Sequence, residues 1–269
     1  SWLARELADR GASVVGLVRD RLPDSYFLVS GVASRITAVD GNVCDGDLME
    51  RILLEYEIEH VFHLAAQTIV GVANENPVST FESNIRGTWT VLEAARRYGR
   101  LKGLVMASSD KAYGSQSVPY DETAPLLGTY PYDTSKVCQE YLARCYFHTY
   151  GLPVVITRCA NLYGGGDVNF SRIVPGTIRS LLADERPIVR SDGSPVRDYL
   201  YVEDAVRGYL ALAERVGERD IPGAAFNFGT SEPVSVLELV EKIVSVSGKP
   251  HLKPLIQGTG KLQGEIDYQ

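Results

Sequence analysis

The chain has 269 residues, 45% of them hydrophobic, with 27 Lys and Arg against 34 Asp and Glu and a formal net charge of −7 at pH 7. This length suits one large domain or a domain with an added lobe, and the acidic balance argues against a nucleic-acid partner. The four cysteines form no C-x-x-C pair and have no histidine at a metal-ligand spacing, so we expect reduced thiols, no metal site and a cytoplasmic protein. No apolar run reaches the roughly 20 residues that a membrane span needs.

Alternating helix and strand patterns fill the first 160 residues. They predict helices over 1–10, 47–57, 82–98 and 131–150 and strands over 13–18, 36–39, 60–66, 101–107 and 152–159. This alternation is typical of an α/β fold with a doubly wound parallel sheet of the Rossmann type. Because a helix precedes the first predicted strand, we expect the first strand of that fold and its Gly-rich turn to lie roughly 10 to 15 residues upstream of Ser1.

The pattern loosens near residue 167. It predicts helices over 172–183, 203–215 and 235–246 and short strands over 188–190, 197–202 and 225–228. We therefore predict a Rossmann domain over 1–166 and a smaller substrate-binding lobe over 167–269, with elements near 198–230 returning to the first domain. The polar stretch that ends at Gln269 suggests that a further C-terminal piece follows.

Loops that follow predicted strands are candidates to hold a dinucleotide, NAD or NADP. Arg19 stands near the place where a carboxylate holds the ribose of NAD, and an arginine there favours NADP; a solvated basic turn explains it equally well. Asn42 and Val43 follow the next strand, beside the expected adenine. Leu64, Ala65 and Ala66 follow His63, and the alanines leave room for a cofactor. His63 itself is predicted to be a packed strand histidine.

Tyr132 and Lys136 are the candidate catalytic pair. Pro131 favours a helix start, which puts the two side chains one turn apart on one face. A lysine cation so close favours the phenolate and lowers the pKa of a phenol from about 10, so Tyr132 could act as a base on a sugar hydroxyl. A solvated Tyr/Lys pair is the alternative. The Ser-rich loop 108–114 favours catalysis, because ligands sit beyond the carboxyl ends of parallel strands.

Three arginines are spread through the predicted lobe, at Arg172, Arg190 and Arg197. Forked guanidinium groups suit a diphosphate, so each is a candidate substrate contact. For each of them a solvated surface position is the alternative.

Seven stretches, taken in order and at their spacings, resemble the extended branch of the short-chain dehydrogenase/reductase superfamily, the nucleotide-sugar epimerases and dehydratases. They are His63-Leu-Ala-Ala-Gln67, Asn84-Ile-Arg-Gly-Thr88, 108–114, 132–136, Arg158-Cys-Ala-Asn-Leu-Tyr-Gly164, 197–204 and Phe226-Asn-Phe-Gly229. The resemblance covers nearly the whole chain. It implies an NAD(P)-binding Rossmann domain, a nucleotide-diphosphate sugar as substrate, and a homodimer paired through the helices near Asn84 and Pro131.

The same resemblance implies roles for individual residues. Ser109 and Tyr132 would contact the sugar 4-hydroxyl, and Lys136 would bind the nicotinamide ribose and lower the pKa of the tyrosine. The substrate contacts that it implies are Asn84, in the active-site helix, with Asn161 and Arg197 on the diphosphate.

The order Ser109-Asp110-Lys111 is similar to that of CDP-glucose 4,6-dehydratases, although the Arg19 turn is more similar to GDP-mannose 4,6-dehydratases, which use NADP. The resemblance implies that Asp110 protonates a departing 6-hydroxyl. Lys111 replaces the glutamate that commonly takes the C5 proton, so it would either act as a neutral base or only orient Asp110. We therefore expect a 4,6-dehydratase, with a 4-epimerase or a cofactor-gated, non-catalytic binding module as the alternatives.

Overall fold

The computed structural model describes residues 1–116, 119–259 and 266–269. Its helices are α1 (Trp2–Asp9), α2 (Tyr26–Val29), α3 (Gly46–Glu55), α4 (Val70–Glu75), α5 (Pro77–Phe81), α6 (Gly87–Tyr98), α7 (Pro131–Tyr150), α8 (Ile173–Leu182), α9 (Val202–Arg215) and α10 (Val236–Val246). Its strands are β1 (Val15–Val18), β2 (Thr37–Asp40), β3 (His60–His63), β4 (Gly103–Ala107), β5 (Val154–Cys159), β6 (Asn161–Tyr163), β7 (Ile188–Val189), β8 (Val196–Arg197), β9 (Tyr199–Tyr201), β10 (Ala225–Phe228), β11 (Val234–Ser235) and β12 (Leu255–Ile256). Short 3₁₀ helices cover Val32–Ser34 and Asp110–Tyr113, and a π-helical turn covers Glu82–Arg86.

Local sequence signals explain where the main helices begin and end. Helix α7 has Pro131 at its first position and ends at Gly151, whose φ of 69° is left-handed, so both predicted bounds are confirmed. Helix α10 begins with a capping box, in which the Ser235 side chain accepts from the Glu238 amide and the Glu238 side chain accepts from the Ser235 amide. Asp45 caps α3 by accepting from the Leu48 amide.

Four parallel strands form the main sheet, in the order β10-β5-β4-β3. Residues of β4 alternate between its two faces: Leu104 and Met106 pack with the side covered by α3, α6 and α7, and Val105 packs with the side covered by α1 and α9. Strands β1 and β2 form a separate parallel pair, and no ladder within the described ranges joins them to the main sheet. This arrangement confirms the predicted α/β fold of the Rossmann type.

The lobe has a small core of its own, in which Leu181 and Val189 pack with Val240 and Val244. Strand β10 nevertheless pairs with β5 of the main sheet, and α9 packs on that sheet. The division at residue 166 stays a prediction, and residues 260–265 of the predicted lobe lie outside the described residues. In the part of the chain that the structure describes, no helix is both long and apolar enough to cross a membrane.

Three predicted elements differ from the structure by more than two residues at one end, by a different type of helical turn, or by a break. The strand over 60–66 ends at His63, because its ladder with β4 ends there, opposite Met106. The helix over 82–98 begins as the π-helical turn, in which Asn84 bonds to the backbone of Gln67. The strand over 197–202 is split at Asp198, because β8 pairs with β11 of the lobe and β9 pairs with β6.

Candidate active site

The site lies at the edge of the main sheet where its parallel strands have their carboxyl ends. The first turns of α7 cover this edge, and the Lys136 Nζ donates a 2.9 Å hydrogen bond to the carbonyl oxygen of Ala107, the last residue of β4. Tyr132 is 8% exposed and Lys136 3% exposed. The predicted pair is therefore buried at the sheet edge and is not a solvated surface pair.

Burial, and not the neighbouring lysine, controls the acidity of Tyr132. Burial raises the pKa of the Tyr132 phenol well above its ordinary value, a hydrogen bond with Ser109 opposes the rise, and the charges of Asp110 and Asp133 add to it. Burial also lowers the pKa of Lys136 to about 8, and its Nζ lies 5.8 Å from the centroid of the Tyr132 ring. The net shift in the pKa of Tyr132 is therefore upward in this structure, and the expected lowering by Lys136 stays a prediction.

Ser109 joins Tyr132 to the loop that carries Asp110 and Lys111. The Ser109 hydroxyl caps the 3₁₀ helix by accepting from the Lys111 amide at 3.3 Å, and it lies 3.1 Å from Asp110 Oδ1. Burial raises the pKa of the Asp110 carboxyl, against the opposing charges of Lys111 and Arg197. A raised pKa is the property that a carboxyl needs to act as a general acid.

Asp133 is a site residue that sequence reasoning missed. It is 3% exposed, and the loop backbone approaches it so closely that a Cβ added to Gly128 would lie 2.8 Å from the Asp133 Cβ. Burial raises the pKa of Asp133 to about 6; the charge of Lys111 lowers it and that of Asp110 raises it. Its place directly after Tyr132 was the available signal. Lys111 in turn donates a 3.1 Å hydrogen bond to Gln269 Oε1.

Asn84 lies behind the catalytic pair and connects two elements. Its Nδ2 donates to Ser135 Oγ at 2.8 Å and to the Gln67 carbonyl at 3.0 Å, and its Oδ1 accepts from the Gln67 amide at 2.7 Å. Ser135 itself donates to the Tyr132 carbonyl at 2.6 Å. These contacts make Asn84 a residue that positions α7, whereas the sequence predicted a substrate contact.

His63 is packed in the strand, as predicted. Its Nε2 lies 2.9 Å from Thr88 Oγ1, and burial, helped by the charge of Lys136, lowers its pKa to about 3. The ring is therefore neutral at physiological pH. In the described ranges no group of three or more His, Cys, Asp and Glu side chains could hold a metal ion.

The predicted substrate residues occupy different places. Arg172 pairs with Asp167 at 2.9 Å, lines a cleft of about 420 Å³ together with Trp2 and Tyr26, and is close enough to Tyr132 to oppose the rise of its pKa. Arg197 is 5% exposed and acts on Asp110, as described above. Asn161 Nδ2 donates to the Asp198 carbonyl at 3.4 Å. Arg190 is exposed at the end of β7 and does not lie with Tyr132, Ser109 and Asp110.

The predicted dinucleotide residues follow the strands as expected, but the positive charge of Arg19 is paired with a neighbouring carboxylate. Its Nε donates to Asp20 Oδ2 at 2.6 Å. Asn42 lines an open depression of about 590 Å³, and Val43 packs so tightly on Gly87 that an added Cβ would lie 2.6 Å from Val43 Cγ1. The three residues after His63 leave the sheet, Leu64 and Ala65 exposed and Ala66 half-buried.

Comparison with known proteins decides the family. The model of the NAD dependent epimerase/dehydratase family matches residues 1–229. The chain belongs to this family. That membership confirms the resemblance inferred from the sequence.

Individual relatives fall into two activities. CDP-glucose 4,6-dehydratase of Salmonella typhimurium is 30% identical over 266 residues, which cover 92% of this chain and 73% of that protein. A double mutant of dTDP-glucose 4,6-dehydratase from Streptomyces venezuelae, solved with NAD bound, has a TM-score of 0.86 at 27% identity and covers 99% of this chain and 82% of its own. UDP-glucose 4-epimerase of Thermotoga maritima, solved with UDP-glucose, has a TM-score of 0.87 at 26% identity, with coverage of 99% and 84%.

Proposed function

We propose that this protein is a nucleotide-sugar 4,6-dehydratase, which converts a nucleotide-diphosphate hexose into its 4-keto-6-deoxy form with loss of water. The observation that carries the proposal is Asp110, a carboxyl with a raised pKa that lies beside Ser109, which in turn bonds to Tyr132. An epimerase needs a base at the 4-hydroxyl but has no use for a second acid with a raised pKa. The two dehydratase relatives support the same function.

The residues present fit a dinucleotide cofactor, and we propose NAD. Among the described residues the Lys136 ammonium donates to Ala107 alone, so two of its three protons can bond to ribose hydroxyls. Leu64 and Ala65 leave the adjoining edge open. The pairing of Arg19 with Asp20 removes the surplus charge that would favour NADP. When bound, the oxidised nicotinamide supplies a hydride acceptor and a positive charge that favours the phenolate.

In the first step Tyr132 accepts the proton of the sugar 4-hydroxyl as the C4 hydrogen leaves as hydride. Ser109 holds that oxygen through its hydroxyl, and Lys136 holds the ribose. Burial raises the pKa of the Tyr132 phenol in the free protein, and the positive charge of a bound oxidised nicotinamide would oppose that rise. The arrangement therefore links base catalysis to cofactor binding.

In the second step the C4 ketone acidifies the C5 hydrogen. Asp110 gives its proton to the departing 6-hydroxyl, which leaves as water. C6 then takes up the hydride that was lost from C4 and C5 takes up a proton, so the product is the 4-keto-6-deoxy sugar with no net oxidation. Two groups can take the C5 proton: Asp133, whose carboxyl titrates with a pKa of about 6, or Lys111 in its neutral form. We favour Asp133, because a carboxylate is the ordinary base of this step in the resembling enzymes and Lys111 stands in the place of their glutamate.

A panel of CDP-, dTDP-, GDP- and UDP-hexoses tests the proposal, with the 4-keto-6-deoxy product detected by mass spectrometry. We expect one nucleotide sugar to lose the mass of one water molecule. Asp110→Asn should reduce elimination about 100-fold and keep oxidation at C4, seen as reduced-cofactor absorbance. Asp121→Asn, on an exposed loop, is the matched control and should change neither.

A 4-epimerase is the second candidate, and the fit to the Thermotoga maritima enzyme favours it. An isomeric product of unchanged mass, formed equally well by Asp110→Asn, would establish it and refute the dehydratase. If the purified protein neither contains nor binds NAD or NADP, the binding module is favoured.

The homodimer and the cytoplasmic location stay predictions. Trp89 on α6 is 45% exposed and Tyr141 on α7 is 62% exposed, and aromatic side chains of this kind suit a pairing of the two helices across a dimer. Sedimentation of the purified protein would test that pairing.

A further inference from the structure

We infer that the buried ion pair between Glu140 and Arg158 is a positioning element, which holds the loop carrying Ser109, Asp110 and Lys111 in register with α7. The loop and the helix contribute different parts of the proposed reaction, so the inference deepens the proposed function and rests on it. Neither residue touches the predicted substrate positions. Their contribution is geometrical, and it passes through two hydrogen bonds at the ends of the loop.

The pair is enclosed and bidentate. Arg158 is 1% exposed and Glu140 is fully buried. Arg158 Nη2 donates to Glu140 Oε2 at 2.7 Å, and Arg158 Nε donates to Glu140 Oε1 at 3.0 Å. Because two parallel bonds fix the planes of both groups, strand β5 and helix α7 are held at one spacing. Glu140 lies one turn beyond Lys136 on the same helix.

Each end of the catalytic loop is bonded to one member of the pair. Ser108, directly before Ser109, donates its hydroxyl to Glu140 Oε1 at 2.6 Å. At the other end Arg158 Nη1 donates to the Tyr113 hydroxyl at 2.6 Å, and the guanidinium carbon lies 4.6 Å from the centroid of the Tyr113 ring. The loop between Ser108 and Tyr113 is therefore bonded at one end to Glu140 and at the other to Arg158, and these two residues are bonded to each other.

The network continues to the neighbouring strand. The Tyr113 hydroxyl donates to Asn227 Oδ1 at 2.7 Å, and the Asn227 amide donates to Glu122 Oε1 at 2.8 Å. Arg158 Nη1 also donates to the Glu122 carbonyl at 3.1 Å. Strands β5 and β10, helix α7 and the catalytic loop thus share one continuous set of hydrogen bonds.

Stability alone does not explain such a pair. Burying two charges costs as much as their attraction returns, and apolar replacement of a buried pair is often neutral or stabilising, whereas removal of one partner is strongly destabilising. A double apolar variant therefore separates the two roles: it keeps the packing and removes the bonds to Ser108 and Tyr113.

The experiment compares Glu140→Leu/Arg158→Met with the wild type and with Glu59→Gln/Lys102→Met, a matched control that removes an exposed pair at the opposite end of the sheet. We expect kcat to fall about 100-fold, as misplacement by about 1 Å can cause, with KM changed by less than about threefold. Hydrogen exchange of the 108–114 amides should rise about tenfold or more, with that of β5 unchanged. The control should match the wild type in all three measurements.

Wild-type kcat and wild-type exchange in the folded double variant would overturn the inference. If that variant does not fold, Ser108→Ala tests the same claim at one end of the loop, with an expected tenfold fall in kcat and faster exchange confined to 108–114. An inactive wild-type protein would refute the proposed function and leave the exchange measurement to decide the positioning role. The two failures are therefore distinguishable.

Discussion

The sheet edge and the lobe hold their charged groups in different ways. At the sheet edge Lys136 and Asp133 are each 3% exposed, and burial shifts the pKa of both. In the lobe and at its boundary, the Arg172 side chain is 47% exposed and Arg190 is also exposed, whereas Arg197, which acts on Asp110, is buried. Desolvated groups have altered acidity and suit chemistry, whereas hydrated groups suit the recognition of a charged substrate. We therefore assign the rate of the reaction to the sheet edge and much of the affinity to the lobe.

Tyr132→Phe gives the largest expected effect, because it removes the proton acceptor at the sheet edge. We expect kcat to fall about a thousandfold, within the range of a lost general base, with little change in melting temperature. Product formation and circular dichroism measure the two quantities. Tyr150→Phe, 55% exposed at the end of the same helix, should be indistinguishable from the wild type. Comparable losses in both variants would contradict the assignment of the base.

Matched leucine truncations compare the two cores. Leu104→Ala in the main sheet should lower the free energy of unfolding by about 3 kcal/mol, because Leu104 is fully buried between large neighbours. Leu181→Ala acts on the four-residue core of the lobe, and we expect it to cost about 2 kcal/mol and to raise KM before it lowers kcat. Urea titration and kinetics measure both. Equal loss of kcat in the two variants would remove the distinction between the regions.

Arg172→Gln should weaken substrate binding at the lobe side. The side chain lines the cleft beside Asp167, so we expect KM for the nucleotide sugar to rise about tenfold with kcat within twofold. Arg190→Gln is the comparison variant, and its exposed position predicts a smaller change. A fall in kcat for Arg172→Gln with no change in KM would show that this residue contributes to catalysis and not to substrate binding.

Asp133→Asn gives the smallest expected effect on stability, and the sign of that effect depends on pH. The folded-state pKa of Asp133, about 6, is above the ordinary 3.8, so its favourable contribution is present below pH 3.8 and is lost as the pH rises through 6. The asparagine that replaces it cannot ionise. We expect equal melting temperatures at about pH 4 and a variant that melts about 3 °C higher at about pH 8.

Asp121→Asn is the control for that pH dependence, because hydrogen bonds from Thr123 hold the pKa of Asp121 below its usual range. It should not stabilise the protein at the higher pH. A gain of the same size for both variants would show that net charge, and not burial of Asp133, is the cause.

Local signals in the sequence were enough to predict α7 and β10 at their observed bounds, because a proline start, a glycine end and an apolar run act over neighbouring residues. The positions of Ser109, Asp110 and Tyr132 at one sheet edge followed from the rule for parallel strands. The acidity of Tyr132 and Asp133 did not follow, because it depends on burial by segments far away in the chain. The spacing predicted that the Lys136 cation lies near Tyr132, but it could not predict that desolvation would have the larger effect on the pKa of the phenol.

The π-helical turn over Glu82–Arg86 limits how this segment can change in length. Each residue of an α-helix advances the chain by roughly 100°, so deleting one residue here would straighten the turn and rotate Asn84 away from Gln67 and Ser135. Side chains on the outer face of this turn can be substituted, but the number of residues in the turn cannot change without moving Asn84. A one-residue gap at this point in an alignment would therefore mark a protein with a rebuilt site.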